Sequence, residues 1–134
     1  MNMVTRRVAR GYAGLVGTMD FATGLGLVFA PALTLGWMSV DVPGNEALRF
    51  VRFVGVFVAA VGASYWMALV RHEMAALRSA FEWTLLVRAS VGIFMSAAVI
   101  GGFFERPWLL VALTDLGCAL VQAWFLWQGL ESDG

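Results

Sequence analysis

The chain has 134 residues, of which 60% are hydrophobic and 13% are charged. Soluble domains contain roughly 45–50% apolar and about 25% charged residues, so this composition excludes an ordinary water-soluble fold. Nine arginines balance nine acidic residues, and the formal net charge of zero gives no reason to expect nucleic acid as a partner. We therefore expect the lipid bilayer to surround most of this protein.

Four apolar stretches are long enough to cross a bilayer, which requires about 20 residues of helix. They lie at about residues 11–38, 50–70, 80–104 and 107–127. With short connections they use nearly the whole length, which leaves no room for a second domain. The sequence thus predicts one membrane domain over residues 1–134, an all-α bundle of four transmembrane helices.

Proline and capping residues mark the expected helix boundaries. Pro31 predicts a kink in the first stretch, which exceeds the minimum length for a span. Asn45 follows a Pro-Gly turn and is the expected N-cap of the second helix. Ser79 and Glu82 have the spacing of a capping box, which predicts that the third helix begins near residue 80. Pro107 suits the first turn of the fourth helix, so spans three and four should form a tight hairpin.

The distribution of arginine predicts the orientation. Loops that stay in the cytoplasm carry an excess of basic residues. With a cytoplasmic N-terminus, that side holds Arg6, Arg7, Arg10, Arg71 and Arg78, and the other side holds Arg49, Arg52 and Arg106. We therefore expect a multi-pass protein of a bacterial inner membrane with both termini in the cytoplasm.

Three charged residues lie at membrane depth and form the candidate site. Counting along each helix from its cytoplasmic end places Asp20 about 13 Å deep, Arg88 about 12 Å and Asp115 about 18 Å. Charges at such depth are costly unless paired, so the three side chains are expected to meet in a buried charge cluster. We expect Asp20 to be the ion-pair partner of Arg88 and Asp115 to be the more distant acid. The cluster is either a functional site or a structural ion pair that fixes helix register.

Other residues do not point to a reaction. His72 is the only histidine and Cys118 the only cysteine, which gives no support to paired-histidine haem ligation or a Cys-x-x-Cys thiol relay. No metal-ligand spacing and no complete catalytic constellation is present. Tyr65 and Trp66, with many phenylalanines, could line a quinone, carotenoid or lipid site, or serve as packing and interface anchors. No cofactor is identifiable from these residues.

Three segments carry a resemblance to a known family. They are GLGLVFAPALTLGWM at the end of the first helix, RFVRFVGVFVAAVG in the second, and RPWLLVALTDLG in the final hairpin. In this order they resemble the DoxX-like group of small four-helix bacterial membrane proteins. Some members of that group are associated with a thiosulfate:quinone oxidoreductase, so the resemblance implies a quinone-facing membrane subunit. It assigns no role to any individual residue.

These observations favour a protein without a reaction of its own. We expect a non-catalytic accessory or assembly subunit of a larger membrane complex, in contact with other membrane subunits or with further copies of itself. One alternative is a small proton-coupled transporter that uses Asp20 and Asp115. The other alternative, implied by the resemblance, is a quinone-linked oxidoreductase membrane subunit.

Overall fold

The computed structural model describes residues 2–130, which form helices joined by short loops. The helices are α1 (Met3–Phe29), α2 (Pro31–Trp37), α3 (Asn45–Val70), α4 (Met74–Ile100) and α5 (Leu109–Trp127), with a 3-10 turn at Arg106–Trp108 before α5. Four segments are long and apolar enough to cross a membrane: α1, α3, α4, and the 3-10 turn together with α5. The prediction of an all-α, four-helix membrane bundle is confirmed.

α1 begins well before the predicted start of its span, and α3 begins within one residue of its predicted cap. α1 begins at Met3, where the side chain of Asn2 accepts a hydrogen bond from the backbone N–H of Thr5 at 2.8 Å. α3 begins at Asn45, so the N-cap is Gly44, one residue before the predicted cap. The apolar length of a sequence measures the part of a helix that crosses the bilayer. Polar first turns extend the helices beyond that part.

The capping-box prediction for α4 is wrong. α4 begins at Met74 with Glu73 at the N-cap position, so Ser79 lies inside the helix. Glu82 pairs instead with Arg78 one turn earlier, with 2.8 Å between Nε and Oε1. Residues three or four apart lie on one face of a helix, so Glu82 is as well placed to pair with Arg78 as to cap with Ser79.

The predicted kink at Pro31 is a complete break between α1 and α2. Proline has no backbone N–H and cannot continue the hydrogen-bond pattern of α1. Arg52 on α3 donates a hydrogen bond to the carbonyl oxygen of Val28 in the last turn of α1. A cation at this position also interacts favourably with the negative end of the helix dipole. The break is therefore stabilised by a residue from the next helix.

The helices associate as two close pairs. α1 packs along α3, and glycines on both helices let the backbones approach. A Cβ atom added at Gly24 would overlap the backbone of Ala59, and one added at Gly62 would overlap the backbone of Phe21. α4 and α5 form the predicted hairpin, in which Gly102, at φ 76°, helps to reverse the chain.

Large side chains fill the space between the two pairs. Tyr12 of α1 stacks edge-to-face on Phe81 of α4, with ring centroids 5.7 Å apart. Phe81 also lies 5.8 Å from the ring of Phe125 on α5 and 6.1 Å from that of Tyr65 on α3. Tyr65 and Phe81 are completely buried. This aromatic core joins all four long helices near one end of the bundle, and the candidate site lies beside it.

Candidate functional site: a shared guanidinium in the bundle core

Arg88 lies at the centre of the bundle and uses every nitrogen of its guanidinium group. Nη1 donates to Oδ1 of Asp115 at 2.7 Å, and Nη2 donates to Oδ2 of Asp20. Nε donates to the hydroxyl oxygen of Tyr65 at 3.1 Å. The three charged residues expected to meet are therefore in direct contact, and the arginine side chain is only 3% exposed.

Both acids bind the same cation, which differs from the expectation for Asp115. The depth count placed Asp115 farther from Arg88, but a long, forked guanidinium group reaches carboxylates on two helices at once. When both carboxylates are ionised, the cluster carries one net negative charge. The side chain of Asp20 is 12% exposed and that of Asp115 is 18% exposed. The cluster can therefore accept one proton, or one further cationic or hydrogen-bond donor group, at its partly open side.

Sequence reasoning missed Gln122, which extends the cluster. Gln122 of α5 is fully buried, and its Nε2 donates to Oγ1 of Thr84 at 2.9 Å and to the hydroxyl of Tyr65. Gln122 follows Asp115 by seven residues, or two helical turns, and Thr84 precedes Arg88 by one turn. These spacings put each pair on one helix face. The charged residues alone drew attention because an uncharged amide is less costly at membrane depth.

The orientation of the Gln122 amide decides how the network is connected. Oε1 of Gln122 is buried without a hydrogen-bond partner among the described residues. The Tyr65 hydroxyl accepts hydrogen bonds from both Arg88 and Gln122, which leaves its own proton without an acceptor among the described residues. Exchanging the nitrogen and oxygen of the amide would let Tyr65 donate to Oε1, but it would remove the bond that Thr84 accepts from Nε2, since the Thr84 hydroxyl already donates to the carbonyl oxygen of Ala80 at 2.6 Å. The chain of contacts would then run from Arg88 through Tyr65 to Gln122 with one donor at each step.

Of the other residues singled out from the sequence, Tyr65 belongs to the cluster, whereas Trp66, His72 and Cys118 make no hydrogen bond to it among the described residues. Tyr65 and Trp66 are neighbours in sequence but point in different directions from α3, since Tyr65 is buried and Trp66 is 45% exposed on the outer surface. His72 is an exposed loop residue, and its Nδ1 lies 3.2 Å from Nη2 of Arg10. Cys118 is partly buried, and its carbonyl oxygen accepts a hydrogen bond from Tyr12 at 3.1 Å.

No protein-family model, curated protein or solved structure matches this chain. The resemblance to the DoxX-like group therefore stays a prediction based on three short segments. The geometry and charge of the cluster formed by Asp20, Arg88 and Asp115 are the observations that bear on its role.

Proposed function

We propose that this protein is an accessory or assembly subunit of a larger complex in a bacterial inner membrane, with both termini in the cytoplasm. The observation that carries the proposal is the excess negative charge of the cluster, which lies in the core of the bundle and reaches the surface at Asp115. Arg88 is shared between Asp20 and Asp115, and 18% of the Asp115 side chain reaches the surface.

A partly exposed carboxylate within a membrane span needs a polar partner. Unpaired charges in a bilayer cost several kcal/mol or draw in water, and polar side chains between neighbouring helices act as contacts that hold them together. A cationic or hydrogen-bond donor side chain from a neighbouring subunit would complete the coordination of Asp115. Val111, four residues before Asp115 and on the same face of α5, is partly exposed and would supply an apolar contact beside it.

Site-specific photo-crosslinking tests the proposal. A photoreactive residue replaces Val111, one turn from Asp115 on α5, and the matched control replaces Phe57 on the outer face of α3. We expect a crosslink to a second polypeptide from position 111 only, and we expect Asp115→Asn to weaken it. Two differently tagged copies of the chain distinguish a self-association from a different subunit. Equal crosslinking from both positions, or none from position 111, would contradict the proposal.

The arrangement of two carboxylates around one guanidinium also favours a second candidate function, a small proton-coupled transporter. Such a cluster can exchange a proton without losing the ion pair, because Arg88 stays paired when either acid is neutral. Liposomes that contain only this protein and an internal pH dye test the idea under an imposed potassium diffusion potential. Proton entry that disappears in Asp20→Asn and Asp115→Asn would support transport. Proton entry that is unchanged in both variants would reject it.

The proposed orientation is tested by labelling introduced cysteines in intact cells. With Cys118 replaced by alanine, single cysteines are placed at Asn2 and Asn45, which lie at opposite ends of the bundle. A membrane-impermeant maleimide should label position 45 directly and position 2 only after permeabilisation. Labelling of position 2 in intact cells would reverse the assignment of the two sides.

A further inference from the structure

A groove of about 490 Å³ lies on the outer surface of the bundle, between α1 and α3. It is lined by Phe21, Ala63, Trp66, Met67, Val70 and Arg71. All but the last of these residues are apolar or aromatic. From Ala63 to Arg71 the groove follows about two turns of α3, which is about 12 Å along the helix.

Small residues make room for the groove. Ala63 lies at its inner end, and the indole of Trp66 packs beside Gly17, where an added Cβ atom would lie 3.2 Å from the ring carbon Cδ1. Trp66 and Met67 are 45% and 60% exposed, so the groove opens to the surroundings of the bundle. In a bilayer these surroundings are lipid chains. The shape and lining fit a hydrocarbon chain that lies along α3.

The other end of the groove carries positive charge. Arg71 ends α3, and the next residue, His72, has a left-handed backbone conformation with φ 58°. This turn brings the His72 ring to 3.2 Å from Nη2 of Arg10 on α1. Through His72, Arg10 of α1 thus lies next to the C-terminal end of α3, where Arg71 is the C-cap residue. Their two charges exceed the single negative charge of Glu73, the nearest acid along the chain.

We propose that this groove binds one anionic phospholipid, with an acyl chain along Trp66 and Met67 and the phosphate between Arg10 and Arg71. Guanidinium groups bind phosphate oxygens through paired, charge-assisted hydrogen bonds. A lipid with net negative charge is favoured over a zwitterionic one because this end of the groove offers two arginines and one acid. The site is separate from the charge cluster at Arg88 and does not depend on the function proposed for it.

Native mass spectrometry of the full chain in a mild detergent tests the site. Phosphatidylglycerol and phosphatidylcholine with identical acyl chains are added separately, and the fraction of protein ions that retain one lipid is measured. We expect several-fold greater retention of phosphatidylglycerol. Arg71→Gln should remove most of this preference, and Arg10→Gln should reduce it. Arg106→Gln, at the opposite end of the bundle, is the matched control and should leave the preference unchanged.

The apolar part of the site is tested separately. Ala63→Phe fills the groove without changing any charge and should lower retention of both lipids, whereas Leu120→Phe on the surface of α5 should not. The thermal unfolding temperature of each variant shows whether it is folded, and the arginine variants provide the test if Ala63→Phe is not. Equal retention of the two lipids by the wild-type protein would overturn the proposal, as would equal effects of Arg71→Gln and Arg106→Gln. Unchanged retention in folded Ala63→Phe would also overturn it.

Discussion

Arg88 on α4 and Asp115 on α5 form an ion pair of 2.7 Å, although Arg88 is already bound to Asp20 on α1. One cation thus joins two acids from helices that belong to different close pairs. The effect of a substitution on protein stability should depend on the net charge that remains in the cluster. Variants with two or three substituted residues should therefore differ from the sum of the single effects.

The two acids should be partly interchangeable. Asp20→Asn or Asp115→Asn leaves Arg88 with one carboxylate and a neutral pair, so each single change should cost little. The double variant leaves a buried arginine without a counter-charge and should lose about 3–5 kcal/mol. Thermal unfolding of all three variants in one detergent measures the effect. If the double variant loses only the sum of the two single effects, Arg88 is reaching water or lipid headgroups.

Removal of the cation should be severe but reversible by a second change. Arg88→Met leaves two carboxylates together in the bundle, and we expect a loss of about 3–5 kcal/mol. Adding Asp20→Asn and Asp115→Asn removes the unpaired charges and should restore most of the stability. The triple variant, if it folds, also separates the roles of the cluster. If the triple variant crosslinks from position 111 as strongly as the wild-type protein does, the charges stabilise the fold without contributing to the proposed interface.

The contact between α1 and α3 should not tolerate Cβ atoms at its closest points. Gly24→Ala and Gly62→Ala would place a methyl group against the opposite backbone, with a cost of about 1–3 kcal/mol. Gly117→Ala on α5 is the matched control, since an added Cβ atom there meets nothing within 4 Å. It should be neutral or stabilise the helix by up to about 1 kcal/mol. Similar unfolding temperatures for all three variants would show that the two helices are not closely packed.

Arg52 should contribute to stability through the broken end of α1. Arg52→Met removes the donor to the Val28 carbonyl, and we expect a loss of about 0.5–1.5 kcal/mol, the usual range for one hydrogen bond. Arg49→Met, one turn earlier on the same helix and also exposed, is the control for loss of an arginine. An equal loss in both variants would mean that positive charge in this region, and not the hydrogen bond from Arg52 to the Val28 carbonyl, stabilises this end of the bundle.

Ser79→Ala should have almost no effect, because Ser79 lies within α4 and does not cap it. Alanine favours the helix interior by a few tenths of a kcal/mol over serine, so a small gain in stability is expected. Glu82→Gln removes the partner of Arg78 and should cost about 0.2–0.5 kcal/mol. Thermal unfolding measures both changes. A loss above about 1 kcal/mol for Ser79→Ala would indicate a helix start near residue 80 after all.

The amino-acid sequence was sufficient to predict the number of spans and an interruption of the first helix at Pro31, although as a kink and not as a complete break. Both follow from local properties, namely the length of apolar stretches and the missing N–H of proline. The helix starts at Met3 and Met74 were not predictable in the same way. Arginines near the start of both helices interrupt the apolar pattern, and the Ser79 and Glu82 spacing suggested a cap that the actual backbone does not use.

The sequence also identified the three charged residues of the cluster, because a charge at membrane depth stands out in any apolar stretch. Only the tertiary structure showed that Arg88 binds both acids and that Tyr65 and Gln122 complete its surroundings. These contacts depend on how each of the four helices is rotated about its axis and on the distances between the helices. The helix separations are set by Gly24 and Gly62 in one pair and by large aromatic side chains between the pairs, and no local pattern encodes the distance from one helix to another.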